Sequence, residues 1–374
     1  FLKHEKLPYG LKRLVCRLIQ PRYPVYAVAL GRFLKPIEHS VYGIIAHIFG
    51  APVVMKGYNC FQVGEMMHEA WASFEHPVAV MLDANRFDQH INSSLLKWEH
   101  HIYELFYGRP YVSEMKRLLR MQLHTRGVVR CYDGDIKYDI PGTRCSGDMN
   151  TALGNCLIMC AMIYVRLNSI GVRARVFDNG DDMCLVMNKR DVETFTQGLD
   201  TYFDSYGISL RVEGQTDVLE RVSFCQTQPV YDGVRWRMVR DPRVSLTKDS
   251  TTLHRFNSQV ELDAHLTALG QCGLALTCGL PVLQEYYQCL TRGLSSVLNA
   301  SVLQRARDEI SGTGMFYMTN GLSPEVYSVS QDARYSFACA FDIMPQEQES
   351  LECYYSGLAG IRNVVVPGTP RISV

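Results

Sequence analysis

Asp181 and Asp182 sit in the middle of VRARVFDNGDDMCLVMNK, residues 172–189, where two runs of β-forming residues flank Asn179-Gly180-Asp181-Asp182. Asn-Gly between such runs predicts a tight hairpin, because both turn residues tolerate positive φ. The two carboxylates then stand at the tip of a stiff, mostly apolar ribbon, a costly place for negative charge unless a cation lies opposite. A divalent metal ion bound through oxygen is the simplest such cation. Gly-Asp-Asp alone is a weak signal, since an isolated copy is more often a surface turn. Asp83 adds to it. It closes the short apolar run VAVML, residues 78–82, and Asp88 follows in DANRFD. A strand ending in a carboxylate can present that group beside the hairpin; the plainer reading of Asp83 is a strand-end cap.

A third segment, GTRCSGDMNTALGN, carries polar chemistry into a helix. Its glycines and Ser146 make a flexible turn, and a long helix is predicted from about Met149 to Ile170, stopped by Gly171. Thr151 and Asn155 are four residues apart and share one face. On an otherwise apolar helix they need partners. These are either back-bonds from Thr151 and a satisfied, buried Asn155, or a ribose or template backbone beside the acidic centre.

The elements that must position these groups follow from pattern. Residues 78–82 read as a short buried strand, and residues 93–108 as an amphipathic helix with Leu95, Leu96, Trp98, Ile102, Leu105 and Phe106 on its apolar side. Residues 127–141 read as a hairpin about Asp133-Gly134, residues 191–206 as one amphipathic helix and SLRVEG as a strand. VSFCQTQPVYDGVRWRMV reads as two further strands about Asp232-Gly233. After Pro242 the pattern is largely helical and marks a separate subdomain. RFLKPIEHSVYGIIAHIFG is helix-like, whereas the prolines before it, Pro8, Pro21 and Pro24, predict loop or short strand.

The 374 residues are 47% hydrophobic and 20% charged, with formal net charge zero, so global charge gives no argument for nucleic acid. Local charge does: residues 1–40 hold Lys3, Lys6, Lys12, Arg13, Arg17, Arg22, Arg32 and Lys35 against Glu5 and Glu38. Such a stretch is either a solvated basic face or a phosphate-contacting channel. The 13 cysteines show no CxxC pair or zinc-ligand spacing and read as reduced core residues of an intracellular protein. The apolar run at residues 153–165 is too short to span a bilayer, and no signal peptide is visible. A start at Phe1 rather than Met suggests a fragment of a longer product.

A basic loop, Asp…Asp, Ser-Gly…Thr…Asn, Gly-Asp-Asp and a strand pair follow one another in an order that resembles the RNA-dependent RNA polymerases of positive-strand RNA viruses. In detail the chain resembles the tombusvirus-like replicases. The carrying segments are FLKHEK and CRLIQPRYPVYAVALGRFLKPIEH, LDANRFDQH, GTRCSGDMNTALGN, NGDD and VSFCQTQPV. The resemblance implies an α+β right-hand polymerase of fingers, palm and thumb, with an antiparallel palm sheet and a helical thumb. Residues 1–76 would be partial fingers with the basic fingertip motif. Residues 77–240 would be palm, with a fingers insertion at about 96–130, and residues 241–374 thumb and tail.

The resemblance also implies roles. Asp83 and Asp181 would be the primary ligands of Mg²⁺ (or Mn²⁺), with Asp182 in support, for two-metal-ion transfer from nucleoside triphosphates to an RNA 3′-hydroxyl. Asp88 and Asn155, aided by Thr151, would sense the ribose 2′-hydroxyl. Ser146 and Gly147 would form a mobile loop beside template and nucleotide. Lys3, Lys6, Arg17 and Arg22 would face the triphosphate, and Cys225 and Gln226 would lie near the primer end. Arg211 and Lys189 stand where a general acid for the leaving pyrophosphate could be sought. Arginine hardly deprotonates, so that role is unassigned. Expected partners are the RNA template and nascent strand, nucleoside triphosphates and a viral accessory replicase protein. The expected place is the host cytoplasm, membrane-associated only through upstream regions absent from this chain. Two readings compete. A reverse transcriptase normally shields the ribose site with a bulky aromatic, where this chain has Asp88 and Asn155. A catalytically inactive RNA-binding palm needs the basic stretch but not the spaced aspartates.

Overall fold

The computed structural model describes residues 18–252, 256–292, 294, 300–311 and 318–358. The chain forms two compact units, Phe1–Lys56 with Trp71–Asp217, and Gly57–Ala70 with Val218–Val374. Both mix helices with antiparallel strands, so the α+β class expected from the sequence is observed.

The first unit holds strands β1 (Pro77–Ala84), β2 (His124–Cys131), β3 (Gly134–Pro141), β4 (Ala174–Asp178), β5 (Asp182–Asn188) and β6 (Leu210–Thr216). Four of them make one sheet in the order β4-β5-β1-β6. The central strands β1 and β5 each carry five consecutive buried residues, an unbroken apolar run that fits a strand covered on both faces. Their register pairs Val80 with Leu185 and, at the end, Asp83 with Asp182. On its other edge β1 pairs with β6, where a bulge at Met81/Leu82 leaves Asp83 opposite Arg211. β2 and β3 form the expected hairpin, but Cys131 pairs with Gly134, so its tip is Tyr132-Asp133, one residue earlier than the sequence reading.

Three helices pack this sheet. The first, Pro24–Phe49, starts earlier than the sequence suggested. Pro24 occupies the first turn, where a missing N–H costs nothing, so a proline read as loop is in fact a helix start. The second, Ser93–Glu104, is capped by Asn92, whose side chain accepts from the Ser94 and Leu95 amides. It ends before Leu105, and its buried residues are Leu96, Glu99, His100 and Tyr103 rather than the wholly apolar face expected; Trp98 and Leu105 are exposed. The third, Thr151–Ile170, stops at Gly171, as the sequence indicates. At 20 residues and mean hydropathy 1.4 it is long and apolar enough to cross a bilayer, longer than the run read from sequence. Here it is a core helix, with Cys156, Ile158, Met159 and Ile163 buried. Residues 191–206 are not one helix. Gly198, at φ 67°, separates Val192–Thr196 from Leu199–Asp204.

The second unit has its own core, with Val230, Leu280, Tyr286, Tyr287 and Phe337 at its centre. It contains the hairpin of β7 (Thr227–Tyr231) and β8 (Trp236–Arg240) and the helices Gln259–Thr277, Leu283–Thr291, Ala300–Ser311, Gln331–Phe341 and Pro345–Ser356. Ahead of β7, Phe224 and Thr227 exchange backbone hydrogen bonds of 2.9 and 3.0 Å around Cys225 and Gln226, both at positive φ. Among the described residues no cysteine is bridged, and Cys60, Cys145, Cys156, Cys160, Cys184, Cys278 and Cys289 are buried.

Candidate active site

The β1–β5 register brings together residues almost a hundred positions apart. Asp83 lies directly across from Asp182, and the Ala84 amide donates to the Asp181 carbonyl at 3.4 Å. The hairpin tip differs by one residue from the sequence reading. Asn179 faces Asp182, with its amide donating to the Asp182 carbonyl at 2.9 Å, so Gly180 and Asp181 are the tip residues. Only Gly180 needs the left-handed region, at φ 105°, the first tip position where a hairpin turn of this kind takes glycine. Asp181 is exposed, and Asp83 and Asp182 are half-buried.

Two residues behind the tip carry no weight in the sequence reading. Residues 53–56 run beside β4: the Met55 amide donates to the Asp178 carbonyl at 2.9 Å and the Asp178 amide to the Val53 carbonyl at 2.8 Å. This delivers Lys56, whose Nζ donates to Asn179 Oδ1 at 2.7 Å and to the Asn179 carbonyl at 3.0 Å. The ammonium thus fixes the residue that opens the turn. Asp178 is fully buried; its Oδ1 accepts from the Gly180 amide at 3.2 Å, while Oδ2 has no hydrogen-bond partner. Burial pushes its carboxyl up to about 7, against the pull of the Cys156 thiol, the Gly180 amide, Lys56 and Cys160. A lone lysine after the apolar run APVVM, and an aspartate at a strand end before Asn-Gly, were the available signals.

Asp88 and Asn155 meet. Asn155 Nδ2 donates to Asp88 Oδ1 at 2.8 Å, whereas Asn155 Oδ1 is buried without a hydrogen-bond partner. Asn155 also borders the hairpin tip, since a Cβ on Gly180 would stand 3.4 Å from its own. Burial raises the Asp88 pKa, helped by the charges of Asp181 and Asp148 and opposed by Asn155 and Arg144. Thr151 is turned inward: its hydroxyl donates to the Asp148 carbonyl at 2.9 Å and the Cys145 carbonyl at 3.2 Å.

The loop before that helix is tied to the chain's beginning. Gly147 donates to the Gln20 carbonyl at 3.2 Å, and the Gln20 amide donates to Ser146 Oγ at 3.1 Å. Arg22 is engaged within the protein, with Nε donating to the buried Asp148 Oδ1 at 2.7 Å and Nη2 to Thr125 Oγ1 at 3.2 Å. Lys3, Lys6 and Arg17 lie outside the described residues. Of the two residues considered for a general acid, Arg211 lies across from Asp83, and Lys189 Nζ reaches Asp217 Oδ2 at 3.3 Å.

Among the described residues no three His, Cys, Asp or Glu side chains close into a metal cage. The donors beside the tip are nevertheless hard carboxylate oxygens on two adjacent strands. Mg²⁺ is commonly held by one or two carboxylates, with water and substrate phosphates completing its octahedron, so Asp83, Asp181 and Asp182 fit such an ion.

A family model described as viral RNA dependent RNA polymerase matches residues 1–362. The chain is 40% identical to the RNA-directed RNA polymerase of Maize chlorotic mottle virus (isolate United States/Kansas/1987), over 95% of this chain and 36% of that protein. It is 39% identical to the RNA-directed RNA polymerase of Turnip crinkle virus, over 96% of this chain and 45% of that protein. It is 41% identical to the protein of the same name from Tobacco necrosis virus (strain A), over 95% of this chain and 48% of that protein. The chain spans less than half the length of each of these three relatives.

Proposed function

The chain belongs to the viral RNA dependent RNA polymerase family, and on that premise we propose that it carries the nucleotidyl-transfer centre of a replicase that copies a positive-strand RNA genome. The observation that carries this reading is the pairing of Asp83 with Asp182, with Asp181 at the adjoining tip. It sets carboxylates from the two central strands at one end of the sheet.

Phosphoryl transfer asks for positioning and charge neutralisation more than for covalent chemistry. Asp83 and Asp181, supported by Asp182, would hold Mg²⁺. When bound, paired ions of this kind activate the attacking 3′-hydroxyl and neutralise charge on the triphosphate. Lys56 keeps the tip in place through Asn179. Asn155 offers a buried acceptor that lacks a partner, and a ribose 2′-hydroxyl is a donor suited to it. Asp88 holds the Asn155 amide through Nδ2, which leaves the oxygen side of that amide unpaired. A deoxyribonucleotide would leave it unsatisfied, which favours RNA synthesis over reverse transcription. The sheet-centred first unit would be palm with parts of the fingers, and the helical part of the second unit the thumb. Template RNA, an accessory replicase protein and a place at host cytoplasmic membranes belong to the same proposal.

The test is extension of a self-priming RNA with labelled ribonucleotides and Mg²⁺ or Mn²⁺. Asp181→Ala should lower synthesis by roughly a thousandfold or more. As a change at an exposed tip it should leave stability within about 0.5 kcal/mol. Metal-dependent synthesis retained by that variant would sink the assignment.

A further inference from the structure

Against the helix Thr151–Ile170 lies a buried polar cluster that nucleotidyl transfer does not itself require. Arg144 and Glu99 form an ion pair whose side chains are both completely buried. Arg144 Nη1 donates to Glu99 Oε1 at 3.3 Å and Nη2 donates to Oε2. Glu99 Oε1 also accepts from Tyr103 Oη at 2.7 Å and from Asn150 Nδ2 at 2.5 Å. Asn150, the residue before the helix, accepts from Gln122 Nε2 at 2.8 Å, and Gln122 Oε1 meets His100 Nε2 at 3.1 Å.

This cluster reaches Asp88 through the Arg144 backbone and reaches the residue next to Asn155 through its side chains. The Arg144 amide donates to the Asp88 carbonyl at 2.9 Å. Its guanidinium lies against Gly154, the neighbour of Asn155. A Cβ there would stand 2.6 Å from Arg144 Nη2 and 2.3 Å from Glu99 Oε1. One residue therefore fixes the segment that carries Asp88 and braces the helix turn that carries Asn155. A buried ion pair is a poor source of net stability, because desolvation offsets most of its attraction and apolar replacements are often as stable. What it supplies is a fixed distance between the two segments. The Asn155–Asp88 bond, at 2.8 Å, would be lost with a shift of about 1 Å.

We propose that Arg144, held by Glu99, is a positioning residue for sugar selection. It sets the spacing of Asp88 and Asn155 and thereby the discrimination between ribo- and deoxyribonucleotides. The inference rests on Asp88 and Asn155 being the ribose pair.

The experiment compares the full chain with three kinds of variant. Asp88→Ala and Asn155→Ala test the ribose pair itself. Glu99→Leu combined with Arg144→Met removes the polar tie at similar volume. Gly154→Ala keeps both charges but forces them off the helix. Melting temperature reports the fold. The ratio of kcat/KM for CTP and dCTP on a primed RNA reports discrimination, and equilibrium binding of the two nucleotides gives a second reading of it. The double variant also leaves the buried Tyr103 hydroxyl without its acceptor and should melt below the parent, yet where folded it should lose discrimination about tenfold or more, mostly through a higher KM for CTP, and Gly154→Ala should move the same way. Parent-like discrimination in the folded double variant, beside its collapse in Asp88→Ala, would overturn the inference and leave the ribose pair standing. Parent-like discrimination in Asp88→Ala and Asn155→Ala would overturn both. Should the double variant fail to fold, Gly154→Ala decides by the same ratio.

Discussion

Asp178 shows how a single side chain records its surroundings. Its carboxyl is pushed up to about 7 by burial, with Lys56, Tyr42 and the thiols of Cys156 and Cys160 as the titratable groups around it. In an unfolded chain an aspartate titrates near the ordinary value of about 3.9. Between those two values the folded protein keeps a proton that the unfolded chain has released. The contribution of Asp178 to stability is therefore full below about pH 4 and is lost as pH rises through 7, by up to ~1.4 kcal/mol per pH unit. Asp178→Asn should flatten the fall in melting temperature between about pH 4 and 7. Parallel profiles for parent and variant would show that Asp178 does not hold the proton. Lys56 gives a second expectation at this scale. It braces the tip without being one of the carboxylates, so Lys56→Met should weaken divalent-ion affinity about tenfold, read by titration of Mn²⁺ binding. Unchanged affinity would reduce Lys56 to a fold contact.

At the scale of elements, caps and turns decide where the chemistry ends up. Asn92 caps its helix through two amides and also donates from Nδ2 to the Tyr206 carbonyl at 2.9 Å. Asn92→Ala should lose about 1–2 kcal/mol in a denaturant titration; a loss below measurement would mean that water replaces the cap. The hairpin β4–β5 was legible because β-forming runs flank a glycine. The offset of its tip was not, because β4 pairs with β5 as far as Asp178 opposite Met183, which leaves Asn179 facing Asp182 just beyond the strand. The break at Gly198 was present in the sequence, yet a helical period across it concealed it. Helix Ser93–Glu104 buries a glutamate and a histidine because partners from Arg144, Asn150 and Gln122 reach them. Local amphipathicity carries no information about such partners.

For the whole molecule, two separate cores imply that damage to one unit can be read locally. Leu185 is fully buried in the first core and Phe337 in the second. Leu185→Ala should cost about 2–5 kcal/mol and Phe337→Ala about 3–5 kcal/mol. Hydrogen exchange should rise chiefly in β1 and β5 for the former and in Gln331–Phe341 for the latter. Equal loss of protection across both units in each variant would show that they unfold as one.

The sequence alone determined what depends on neighbours along the chain. It marked the strand that ends in Asp83, the acidic hairpin, the Thr151–Asn155 helix face with its glycine stop, and the order of motifs that resembles viral replicases. These follow from side-chain period and turn chemistry, which act over a few residues. Tertiary structure alone decided which groups meet: Asp83 with Asp182, Lys56 with Asn179, Asp88 with Asn155, Glu99 with Arg144. Each pair is separated by tens of residues. Its geometry is fixed by strand register and by the packing of a long core helix, which no local pattern encodes.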